Sequence, residues 1–67
     1  MYRIFVLDDG RWVDTGEGPW EVYGDALLFA RAEVGLPWRV VCAIAGGTLH
    51  VLAYGDATSC TDTMAQG

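Results

Sequence analysis

A chain of 67 residues makes one domain, and at this length only about 60% of the surface exposed by the unfolded form is buried on folding, so stability is low and a partner surface would add to it. Nine acidic residues against four arginines and no lysine give a net charge of −5, which repels a phosphate backbone and argues against direct nucleic-acid binding. No apolar run approaches the roughly 20 residues that cross a bilayer, and the first apolar run meets Asp8 too soon for a signal peptide, so no membrane role is expected and the expected location is the cytoplasm.

Tyr2 to Leu7 is rich in β-branched and aromatic residues and carries apolar side chains on both faces, the pattern of a central strand covered on both sides. Asp8-Asp9-Gly10 follows, and an Asp-Gly pair between two strand-like runs predicts a tight hairpin turn. The second strand, Arg11 to Thr15, is shorter and more polar, as suits an edge. Gly16 to Pro19 then forbids a regular element, and Trp20 and Val22 are placed to fold back on the first turn of a helix.

Tyr23 to Val34 is the one good helix. Tyr23, Ala26, Leu27, Ala30 and Val34 recur at helical spacing and form its buried stripe, and Gly35-Leu36-Pro37 ends it. Trp38 to Ala45 reads as a third strand, Gly46-Gly47 as a turn, and Thr48 to Tyr54 as a fourth strand. From Gly55 onward the residues are small and polar, so 56–67 is expected to be a flexible tail attached to a domain spanning 1–55. The architecture that follows is β-β-α-β-β in the α+β class: a four-stranded, mainly antiparallel sheet with the helix across one face, the N-terminal strand in the middle and the other face uncovered.

The residues with chemistry are few. Cys42, His50 and Cys60 supply a thiol and a base, the minimum for thiol catalysis, but nothing in their surroundings activates a thiol and the spacings match no metal motif. Two cysteines are too few for a disulfide scaffold, and both are expected as free thiols. Gly16-x-Gly18 lacks the further glycine and lysine of a phosphate cradle. No cofactor or metal is therefore expected, and the chain reads as a non-enzyme.

Surplus apolar area is the stronger signal. The hydrophobic fraction of 52% exceeds the roughly 45–50% of ordinary domains, and Leu28, Phe29 and Ala32 fall off the buried stripe of the helix. Asp14 and Glu17, in an acid-rich first third of the chain, add a charged surface that would steer a basic partner or mimic a nucleic acid. Leu28, Phe29, Ala32, Asp14 and Glu17 are thus the expected partner-binding residues. The function expected is that of a small acidic protein-binding module, of the inhibitor or accessory kind that phages and mobile elements encode, acting by occluding a surface of a larger protein. A self-assembling structural subunit, with a homodimer the simplest assembly, is the alternative, and a thiol-dependent enzyme or ligand binder using Cys42 and His50 is a further one.

Overall fold

A computed structural model describes residues 1–43 and 46–62. The chain forms β1 (Tyr2–Asp8), β2 (Arg11–Asp14), α1 (Tyr23–Glu33), β3 (Trp38–Ala43), β4 (Leu49–Gly55) and β5 (Cys60–Asp62). The strands make one sheet in the order β2-β1-β3-β4-β5, antiparallel at every pairing, with α1 packed on one side. This is the α+β arrangement of hairpin, helix and hairpin, extended by a strand. The additional strand, β5, lies within the segment 56–67 that composition marks as a tail; of that segment, 63–67 falls outside the described residues. Ile44 and Ala45, expected to finish the third strand, also lie outside them.

Register explains the two faces. Ile4, Val40 and Ala53 stand opposite one another across β1, β3 and β4, and all three are buried beneath α1. The helix meets this row with Ala26 and Ala30, both fully buried, whose methyl side chains let its backbone lie close to the sheet. Tyr23, Leu27 and Val34 pack at the margin of this core, as the helical spacing predicts. Phe29 differs from the expectation: it also packs on the core, with its ring centroid 5.2 Å from that of Trp20.

Trp20 reaches that position because its backbone pairs with Tyr2, donating and accepting hydrogen bonds of 2.8 Å, so it closes the loop from the same edge of β1 that β2 occupies. Val22 does not fold back with it. It is the helix N-cap, makes no side-chain cap and is 56% exposed.

Trp38 occupies the next row, opposite Val6 on one side and Gly55 on the other, and is 1% exposed. A Cβ at Gly55 would lie 2.9 Å from Cζ2 of Trp38 and would collide with the carbonyl of Ser59. Glycine there leaves room for both the indole and the turn into β5. Gly55→Ala is therefore expected to destabilise the domain by about 1–3 kcal/mol, the usual penalty for overpacking, measurable as a lower urea midpoint.

Candidate functional site

Alternation along the strands that bury Ile4, Val40 and Ala53 sends their neighbours to the opposite side, where no element of the described chain covers them. One row across this face runs Asp14, Phe5, Arg39, Tyr54, Thr61. Beside it stand Trp12 opposite Leu7, and on the other flank Arg3, Val41, itself only 4% exposed, and Val51, which a register shift at Leu52 in β4, opposite Val40/Val41, brings to the same side as Tyr54. Val51 is 40% exposed and Tyr54 48%, and Trp12 and Leu49 are also exposed large apolar residues. Trp12, Arg39, Val51 and Tyr54, with Pro37 and the Gly55–Asp56 turn, line a groove of about 590 Å³. That lies within the roughly 300–1,000 Å³ range of ligand clefts, and this groove is shallow and open to solvent.

The face holds two arginines in different circumstances. Arg3 forms an ion pair with Asp14, Nη1 to Oδ2 at 2.8 Å, the only ion pair among the described residues. The other oxygen of Asp14 accepts from the Gly16 backbone at 2.9 Å, so this carboxylate anchors the loop as well as its strand. Arg39 instead lies with Cζ 3.8 Å from the centroid of the Trp12 ring, an attraction worth about 0.5–1 kcal/mol at an exposed site. Since Trp12 is on β2 and Arg39 on β3, the stacked pair bridges β1 between them.

The other expected partner-binding residues are dispersed. Leu28 is 63% exposed and Ala32 is exposed, both on the outside of α1, across the molecule from the groove. Phe29, in contact with Trp20, is half-buried. Glu17 is exposed on the loop after β2, where its backbone amide donates to the Thr15 hydroxyl at 3.3 Å. The structure brings none of Leu28, Phe29 and Ala32 to the face that carries Asp14.

Cys42 and His50 face each other across β3 and β4. The Cys42 thiol donates to the carbonyl of Ala43 at 3.6 Å, and no hydrogen bond joins it to the imidazole, the contact that would make His50 its base. Both thiols are free, and no group of three possible metal ligands occurs among the described residues.

Two clusters fix β5. Oδ1 of Asp56 accepts from the amides of Thr58 and Ser59 at 2.8 and 3.0 Å and from both hydroxyls, and these bonds, that of the Thr58 amide foremost, hold its carboxyl below the usual carboxylate range. Tyr23 of α1 donates its phenol to Asp62 at 2.6 Å, with the carbonyl of Leu52 also in reach at 3.3 Å. Burial first, and then this bond to a carboxylate, raise the Tyr23 pKa well above its ordinary value. The linkage has a definite sign: a raised pKa stabilises the fold fully below the phenol's usual value near 10 and does so less and less as pH rises toward the shifted value. Unfolding followed from pH 9 to 12 is expected to show an alkaline loss of stability that Tyr23→Phe reduces. At neutral pH Tyr23→Phe is expected to lose about 1.5–3 kcal/mol, the range for a hydrogen bond to a charged group.

No protein-family model matches the chain, and the comparisons with curated proteins and with solved structures found no significant similarity. No helix among the described residues is long and apolar enough to cross a membrane. What the geometry itself defines is a small α+β domain with one helix on a five-stranded antiparallel sheet.

Proposed function

We propose that this chain is a non-enzymatic protein-binding module and that it docks through the uncovered face of its sheet. One observation carries the reading: a half-exposed surface of Trp12, Leu49, Val51 and Tyr54 lies on the side of the sheet opposite α1. Contiguous apolar patches of this kind mark interaction sites more often than they serve the fold.

The acidic residues act on this reading from outside the contact. Asp8, Asp9, Glu17, Glu21, Asp25 and Glu33 are exposed on turns, loops and the helix side, where they govern approach and orientation more than the strength of the contact. The occluding inhibitor or accessory role is the version of this function that fits a domain with one broad docking face and no built catalytic group.

The test separates the two apolar surfaces. The tagged full chain is expected to elute with a stoichiometric protein from extracts of cells that make it. Val51→Glu with Tyr54→Glu is expected to elute alone, while Leu28→Glu with Ala32→Glu keeps the companion. Loss only in the helix variant would move the docking site to α1, and an unmutated chain that elutes free in every extract would remove the binding function.

A further inference from the structure

The groove's chemistry names the kind of segment that fits it, on the reading that the sheet face is the docking surface. Arg39 stands on the central strand of the five, in the middle of the row that crosses the face, and among the described residues its guanidinium interacts with the Trp12 ring alone. Neither carboxylate nearby pairs with it. Asp14 is paired with Arg3 and the loop backbone, and Asp56, at the groove's rim, gives one oxygen to four donors of its own turn and forms no ion pair with Arg39. An apolar cover that closed over this guanidinium without an acceptor would bury an unpaired charge, which is strongly unfavourable. Any tight cover therefore has to bring an anion.

A second copy of the chain does not supply it. A two-fold axis through the middle of the face would bring Arg39 against Arg39, with Asp14 held by Arg3 at the end of the row and Asp56 out at the groove's rim. A polyanion does not fit either, because the net charge of −5 repels it at long range. What remains is a single carboxylate carried between apolar groups. Stacking over Trp12 fixes the plane of the guanidinium and leaves its edge N–H groups free to fork onto a carboxylate.

We propose that the groove binds a peptide segment of a partner protein that presents one carboxylate flanked by apolar side chains. The carboxylate pairs with Arg39, and the flanking side chains rest on Trp12, Val51 and Tyr54.

A phage-displayed library of random dodecapeptides, selected on the full chain and counter-selected on Val51→Glu, tests this directly. The selected peptides are expected to share an Asp or Glu beside aromatic or aliphatic residues. A synthetic peptide of that consensus should bind at least tenfold more tightly than its Asn or Gln counterpart. Arg39→Gln should weaken the acidic peptide by a similar factor and no longer distinguish the two, and Arg39→Lys should restore part of the difference, with circular dichroism showing each variant folded. Selected peptides that lack an acid, or equal affinity for acid and amide, would overturn the assignment to Arg39 while leaving the docking face intact. Failure to select any peptide that depends on Val51 would overturn the groove as a peptide site, and the elution experiment above decides separately whether the face docks on a folded partner.

Discussion

Trp38→Ala is expected to lose about 3–5 kcal/mol, at or near the whole stability of a domain this small, and to leave a chain that is largely unfolded at room temperature. The indole is among the largest fully buried side chains, together with Ile4 and Val40, and joins the three central strands at one end of the core. Truncation would leave a cavity beside Gly55, which has no side chain to collapse into it. One detail separates packing from polarity. The indole N–H of Trp38 is buried and has no acceptor among the described residues, and burying an N–H unpaired costs about 1–3 kcal/mol. Trp38→Phe removes that cost along with part of the ring, so its loss should be well below that of alanine. Urea denaturation of the two variants checks both statements, and an alanine variant within about 1 kcal/mol of the parent would mean that this end of the core repacks.

Val51→Glu with Tyr54→Glu is expected to abolish association and to leave stability almost unchanged. Both side chains point away from α1, so the substitutions place charge where the isolated chain already meets water. In a complex the same carboxylates would be buried. Hot-spot residues at the centre of an interface cost about 2 kcal/mol or more when lost, about thirtyfold each, and an unpaired buried charge adds to that loss. The matching change on the helix, Leu28→Glu with Ala32→Glu, controls for added negative charge alone, since it alters the net charge equally.

The two hairpins and the helix were legible because their signals are local. Asp9-Gly10 turns β1 into β2, with positive φ at both residues, and the helical recurrence of Tyr23, Ala26, Leu27 and Ala30 identifies the buried side of α1. The uncovered face follows from having one helix for one sheet. β5 was not legible, since Cys60-Thr61-Asp62 has neither alternation nor bulk. Its place depends on a turn held by Asp56 and on a tyrosine 39 residues earlier in the chain. Phe29 falls off the buried stripe of the helical recurrence, and its cover, Trp20, reaches it only after the loop folds back to pair with Tyr2.

The groove was missed for a related reason. Trp12 and Arg39 lie on strands separated by β1, and only the sheet order makes them neighbours. One sequence signal pointed there: Arg39 is the sole charged residue in the otherwise apolar run from Trp38 to Ala45. A charge on a central strand needs either a partner or a surface to face.

Side-chain footprinting with hydroxyl radicals, comparing the purified chain with the same chain in extract of the cells that make it, tests the docking face most directly. Trp12, Val51 and Tyr54 should be oxidised in the purified chain and protected in the extract, while Leu28, exposed on the opposite side, is oxidised equally in both. Equal oxidation of Trp12 and Tyr54 in both conditions, with Leu28 protected in the extract, would contradict the assignment and place the partner on the helix.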